Sequence, residues 1–436
     1  MTATPARAAD GDRPQRELTV TGFANGGAGV AREDDGRVVF VAGALPGERV
    51  RAVLTRERSS FAQARTTEVL ISSPHRIAPL CPAAAAGGGC CDLAYAEPGH
   101  AAQLKAHALA DVLRRIGGLT ATPPPPELQR LGDAVGWRIR MRLAVDADGG
   151  AGVLRAGSRE VVAAPCAAPV PGLWTGLGGL GARPGSELVA ATGHDGRRGV
   201  IELAPLPGGR GHGRAAAQRR RSRRAADRAE RVLDGDGRVT YRVGARDWTL
   251  PVTGFWQAHR AAGGVYAQSV RDLVATAGPG VPRGGLRVWD LYGGAGVLGA
   301  ALLDGAAGGG PAIAGVDLVE TAPAALAAAA ATLGGEPVTA HRGDVAAVLP
   351  GLHRPDVVIA DPPRSGAGDA VVDAVTAAAP QAVVHVGCDA GAFARDLRRY
   401  AAGGYRVLGW RGFDAFPGTH HLEAMAVLVP TTESVD

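Results

Sequence analysis

Apolar and polar residues follow two different rhythms along this chain. Between Glu17 and Pro74 short apolar runs, Leu18–Phe23, Val38–Ala42, Arg49–Leu54 and Ala64–Leu70, are punctuated by glycines and by the turn Leu45–Glu48, which predicts strands. Strands this short and this close pack as a small closed barrel. Beyond Phe255 apolar strands alternate with alanine-rich helices, the pattern of a doubly wound parallel sheet. The chain therefore divides into a polar leader over 1–16, a barrel over 17–74, a central region over 75–253 and an α/β domain over 254–436.

The central region carries a cysteine-rich insert from Cys81 to Tyr95 and an amphipathic helix around His100 to Ile116, with Leu104, Ala108, Leu109 and Leu113 at helical spacing. Pro123 to Pro126 reads as a stiff linker. From Trp137 to Val145, Arg138, Arg140 and Arg142 alternate with Ile139, Met141 and Leu143, which predicts a strand with one basic and one buried face. Three like charges on one strand face repel unless an anion lies near, so the face suits phosphate, with a solvated surface as the alternative. From Pro169 to Gly237 glycine and arginine dominate, and an irregular, mobile stretch is expected there. Its block Arg219–Arg224 reads as a solvated loop or a source of non-specific phosphate attraction.

At 436 residues more than one folded unit is expected. The formal charge of +5 permits an anionic partner such as nucleic acid without requiring one. Of 47 lysines and arginines only Lys105 is a lysine, a bias we ascribe mostly to composition and only partly to phosphate recognition. The leader lacks the apolar core of a signal peptide and no stretch of about 18 apolar residues runs unbroken, so a cytoplasmic protein without a membrane partner is expected. Five cysteines in such a chain point to free thiols, a metal site or catalysis.

Strand, glycine turn and helix follow in Leu286–Ala301, with Asp290, Tyr292, Gly293, Gly294 and Gly296 in the turn. Glycine there allows a nucleoside cofactor to approach the backbone closely. Asp317, on the next strand, is placed to accept ribose hydroxyls, and Asp344 stands where such folds put an acid near the adenine. Asp290-Leu291-Tyr292 before the glycines is unlike the dinucleotide fingerprint, which favours S-adenosylmethionine over NAD. Further on, Ala382–Cys388 is an apolar run ending at a thiol with small neighbours, a strand end with open access to sulfur. A buried structural cysteine is the alternative.

Read together, these segments resemble the uracil-C5 RNA methyltransferases, which make 5-methyluridine. The resemblance rests on the amino-terminal barrel, the arginine strand with Gly152–Ser158, and five ordered motifs. Those are Phe255-Trp256-Gln257, Asp290–Gly296, Asp361-Pro362-Pro363-Arg364, Cys388 with Ala394–Leu397, and His421-Leu422-Glu423. It implies an α/β plus all-β chain with a TRAM (OB-like) barrel, a central α+β RNA-binding region and a Rossmann-like class I methyltransferase domain. Uracil C5 is a weak nucleophile until a thiolate adds to C6, so Cys388 is the expected nucleophile and Glu423 the base that removes the C5 proton. By the resemblance Gln257 and Asp361 lie near both cofactor and base. Arg364 serves phosphate, the thiolate or a structural ion pair. The base must leave its stack for a pocket, for which Phe255, Trp256 and Phe416 are candidate walls.

Many members of that family hold a four-iron cluster on four cysteines, which here implies Cys81, Cys90, Cys91 and Cys166 as ligands of a [4Fe-4S] cluster. Adjacent Cys90 and Cys91 depart from the family spacing, so zinc and no metal remain open. A monomer acting on transfer or ribosomal RNA is expected. Two alternatives stand beside it: a cytosine-C5 methyltransferase, and a catalytically silent RNA-binding or folding factor.

Overall fold

The computed structural model describes residues 14–119, 127–205 and 228–431. The first 13 residues of the leader, the Pro123–Pro126 run and the Arg219–Arg224 block lie outside them.

Five strands, Gln15–Phe23, Gly29–Arg32, Val38–Ala42, Arg49–Glu57 and Phe61–Ile71, close into the expected barrel. Alternation puts Leu18, Val20, Val39, Val41, Val50, Ala52 and Leu54 inside it. The leader ends sooner than the sequence implied, because Gln15 pairs with Val53 and Arg16 with Ala52. Gly29–Arg32 is an additional strand, too short for alternation to reveal.

The stretch expected to be irregular contains regular structure. Glu187–Thr192, Arg198–Leu203 and Glu230–Asp234 join Arg140–Val145, Ala151–Leu154 and Val161–Val162 in a six-stranded sheet. Its arginines are neutralised within the sheet, which is why their density misleads. Buried Glu202 accepts from Arg231 at 2.7 Å and faces Arg183 at 3.3 Å, while Arg198 pairs with Asp234 at 2.7 Å. On the basic strand Ile139, Met141, Leu143 and Val145 are buried as expected. Glu187 stands 4.0 Å from Arg142, and Arg140 donates to the Thr253 carbonyl at 3.1 Å.

The α/β domain is built on an eight-stranded sheet in the order Val338–Arg342, Ile313–Glu320, Leu286–Leu291, Val357–Ala360, Ala382–Gly387, Glu423–Pro430, Tyr405–Asp414 and Gln129–Arg130. The first five are parallel, and Glu423–Pro430 runs antiparallel to both of its neighbours. Strand order reverses beside Leu286–Leu291, which opens a crevice at the carboxyl ends of the strands. On one face Leu109, Leu113, Val372, Phe393 and Leu397 pack with Val358 and Val383. On the other, Tyr266, Val270, Leu298 and Leu302 pack with Val288, Val357 and Val427.

One boundary moves as a result. Helix Pro98–Arg115 and strand Gln129–Arg130, expected in the central region, belong to the α/β core, since Leu109, Leu113 and Leu128 share its apolar cluster and Gln129 pairs with Phe413. Among the described residues no helix is long and apolar enough to cross a membrane.

Candidate functional site

The glycine turn sits at the end of a strand whose Asp290 is fully buried. One carboxylate oxygen, Oδ2, accepts from the Gly299 amide at 3.0 Å, and Oδ1 has no partner among the described residues. Burial first, then the nearby Asp361 and Glu320 carboxylates, push the Asp290 pKa up to about 7 against the Gly299 amide. Tyr292 adopts a φ of 57° and Gly296 a φ of 77°, so the chain turns sharply before helix Val297–Ala307 begins. A Cβ at Gly293 would collide with the Leu318 side chain and the Asp290 carboxylate. The turn is clamped from outside, where the Trp248 indole donates to the Ala295 carbonyl at 2.9 Å.

The acid beside this turn is Glu320, which sequence reasoning passed over in favour of Asp317. Asp317 faces His341 at 2.8 Å, whereas Glu320 ends its strand and accepts from the Gly294 amide at 3.0 Å. Its other oxygen accepts from the Thr321 and Ala322 amides at 2.6 and 2.9 Å, which fixes it at the mouth of the turn. Position at the strand's carboxyl end was the signal available. Asp344 caps the short helix Val345–Val348 through the Ala346 amide at 3.1 Å.

Cys388 follows the last residue of Ala382–Gly387 and is half-buried. Gly387 lies opposite Ala424, and antiparallel register carries the next residue, Cys388, to the level of Glu423. On the other side Ala360 pairs with His385, so Asp361 leaves its strand beside the same end. Burial, then the Glu423 and Asp361 carboxyl groups, push the Cys388 thiol up to about 12, and Arg364 opposes them. Burial and Asp361 hold Glu423 well above the usual carboxylate range, again against Arg364. Asp361 is pushed up to about 7 by burial and Glu320. The Cys388 thiol, the Glu423 and Asp361 carboxyl groups and the Arg364 guanidinium thus share one electrostatic environment.

Tyr266, which sequence reasoning missed, is buried on helix Ala262–Ala277, and its hydroxyl has no partner among the described residues. Glu423, Asp361 and Cys388 all act on it, after burial, to raise its pKa. Gln257 is half-buried in the segment leading to this helix. Of the candidate walls, Trp256 is committed to the core, stacked on Tyr241 with ring centres 4.5 Å apart. Phe416 meets Trp137 edge-on, and Phe255 is 67% exposed.

The remaining four cysteines come together from distant positions. Cys81 and Cys166 sulfurs are 4.0 Å apart, Cys90 and Cys91 sulfurs 3.8 Å. Hydrogen bonds from Cys166 and Cys91 pull the Cys81 and Cys90 thiols down, and the same contacts push Cys91 and Cys166 up. Arg138 lies within electrostatic reach of Cys166, Cys91 and Cys90. Among the described residues no group of three or more His, Cys, Asp or Glu side chains is already spaced to hold a metal ion. The segment also touches the loop before Glu423, since Asp92 accepts from the His420 amide at 3.0 Å and contacts its ring.

Known proteins share this organisation. A family model described as the TRAM domain matches residues 15–67. An uncharacterized RNA methyltransferase of Corynebacterium efficiens is 42% identical over 94% of this chain and 93% of its own length. A 23S rRNA (uracil(1939)-C(5))-methyltransferase, RlmD, of Chromohalobacter salexigens is 32% identical over 95% of this chain and 89% of its own. The crystal structure of the Pyrococcus abyssi tRNA (uracil-54, C5)-methyltransferase with S-adenosyl-L-homocysteine superimposes with a TM-score of 0.68 over 95% of this chain and 99% of that one. At 19% identity that likeness is one of fold.

Proposed function

The chain belongs to the RNA methyltransferase family that includes the 23S rRNA (uracil-C5)-methyltransferases, and from that premise we propose that it is an S-adenosylmethionine-dependent enzyme forming 5-methyluridine in RNA. The observation that carries this reading is the register that brings Cys388 and Glu423 to one level on adjacent strands, beside Asp361.

S-adenosylmethionine fits the crevice: among the described residues nothing lies within 4 Å of where a Cβ on Gly294 would stand, Asp290 keeps a buried oxygen without a partner beneath the turn, and Glu320 stands at its mouth. We assign Glu320, in place of Asp317, to the ribose hydroxyls, and Asp344 to the adenine side. The cofactor supplies an electrophilic methyl group on a sulfonium. Asp361, with a pKa near 7, and Gln257 hold the edge of the uracil. Cys388 gives its proton to solvent and its sulfur bonds to C6, so that C5 becomes nucleophilic and would take the methyl group, breaking the sulfonium's S–CH3 bond and leaving S-adenosyl-L-homocysteine. Glu423 accepts the C5 proton, the C5–C6 double bond reforms, and the sulfur–C6 bond breaks to return the thiolate. Arg364 favours that thiolate, as its opposing effect on Cys388 indicates. Holding the reactants at near-attack distance accounts for much of the acceleration.

Ribosomal RNA is the substrate we favour, because relatives about a third identical are named for it. Mapping 5-methyluridine in ribosomal and transfer RNA from cells with and without the protein tests this. Loss of one ribosomal mark is expected, and survival of every mark contradicts the activity itself. We further assign Cys81, Cys90, Cys91 and Cys166 to a [4Fe-4S] cluster, supported by the convergence of four soft donors beside Arg138. Among the described residues no three such donors are spaced for a metal ion, and no catalytic step passes through the cluster. Anaerobically purified protein should contain iron and absorb broadly in the visible; protein with neither has no cluster.

A further inference from the structure

Lys105 is the one lysine in the sequence, and it is 1% exposed. It extends from helix Pro98–Arg115 to the loop 415–422, which joins strand Tyr405–Asp414 to strand Glu423–Pro430. Its ammonium donates to Asp414 Oδ1 at 2.7 Å, the Phe416 carbonyl at 3.1 Å and the His421 carbonyl at 3.0 Å. All three N–H donors are thereby used, and the acceptors bracket the loop, the last of them two residues before Glu423. Within the loop Thr419 ties its own ends together, donating from Oγ1 to Phe416 at 2.9 Å and accepting from the His421 amide at 3.2 Å.

Everywhere else this chain uses arginine as its long cation. A planar guanidinium projects its donors in one plane and is larger, whereas acceptors arranged around a single nitrogen require a tetrahedral ammonium. The exception therefore marks a place where geometry, not charge alone, is needed. Removing the ammonium would take the donor from the buried Asp414 carboxylate and from the His421 carbonyl next to the proposed base, while the Phe416 carbonyl keeps the Thr419 hydroxyl.

We propose that Lys105 is a positioning residue for Glu423: by fixing both ends of loop 415–422 it sets where the carboxyl group stands relative to C5 of the bound uracil. The proposal rests on the reading of Glu423 as the base. Its consequence is specific to one step. Sulfur addition and methyl transfer precede proton removal, so a displaced Glu423 leaves the methylated base joined to Cys388, with the C5 proton still in place.

The test compares wild type, Lys105→Arg and Glu423→Gln on ribosomal RNA from cells lacking the protein. Turnover, S-adenosylmethionine affinity and the fraction of enzyme bound to RNA after denaturation in detergent are measured for each. Lys105→Arg should lose about ten-fold or more in turnover, keep cofactor affinity within about two-fold, and accumulate denaturation-stable adduct as Glu423→Gln does. If Lys105→Arg loses cofactor binding altogether, Asp414→Asn, which keeps the ammonium and both carbonyl contacts, carries the same comparison. Adduct in Glu423→Gln but none in the Lys105 or Asp414 variant overturns the proposal alone. No adduct in Glu423→Gln overturns the reading of Glu423 and this proposal with it.

Discussion

Asp396 accepts a hydrogen bond from the backbone amide of Ala367 at 2.7 Å, which ties the helix after Cys388 to the loop that begins at Asp361. The same carboxylate receives the Gly368 amide at 3.3 Å and faces His385 at 3.2 Å on the strand that leads to Cys388. Replacing it by alanine orphans these groups, at a cost of about 1–3 kcal/mol. Asp396→Ala should unfold at lower temperature and lose turnover more than cofactor affinity. Thermal unfolding and single-turnover assays on one preparation check both.

Gly293 is the tightest point of the cofactor turn. A methyl group there meets Leu318 and Asp290 and has nowhere to move. Gly293→Ala should cost about 1–3 kcal/mol of stability and most of the affinity for S-adenosylmethionine, read by calorimetric titration.

Arg364 is exposed, yet its charge opposes the carboxylates that raise the Cys388 thiol to about 12. Removing it raises that pKa further and leaves less thiolate at any pH below it. Arg364→Gln should therefore slow alkylation of Cys388 by iodoacetamide at pH 8 to 9 by a few-fold, since an exposed charge is partly screened. Mass spectrometry of the Cys388 peptide separates this thiol from the other four.

Asp290 gives a pH test of stability. Its pKa is raised to about 7 in the folded protein, so between the unfolded carboxyl's value and about 7 the native state binds more protons. The stability it contributes is thus present below the unfolded pKa, about 4, and is lost as pH rises through about 7. Asp290→Asn does not titrate and should gain on wild type by up to about 4 kcal/mol at pH 8, with the gap closing near pH 4. Ligand-free thermal unfolding across that range measures it; a gap independent of pH contradicts the burial account.

Much of this architecture was legible because strand ends and turns carry their own residue types. Asp290 before the glycines, Asp361 before two prolines and Cys388 after an apolar run all mark carboxyl ends of strands, and the sheet brings those ends together. Glu320 was less visible because Asp317, three residues earlier, looked equivalent until register showed which one ends the strand. Lys105 and Tyr266 were invisible as site residues, since each reaches it from a helix far away in sequence. The arginine-rich central sheet was misread because cross-strand partners such as Glu202 neutralise charges that look unpaired in one dimension.

The central claim is that Cys388 bonds to C6 of a uracil whose C5 proton Glu423 then removes. RNA carrying 5-fluorouridine at the target tests it most directly, because fluorine in place of that proton blocks the last step. Wild-type protein with S-adenosylmethionine should form a denaturation-stable adduct that peptide mass spectrometry places on Cys388, and Cys388→Ala should form none. An adduct on another residue, or no adduct with RNA that is methylated normally when fluorine is absent, would contradict the account.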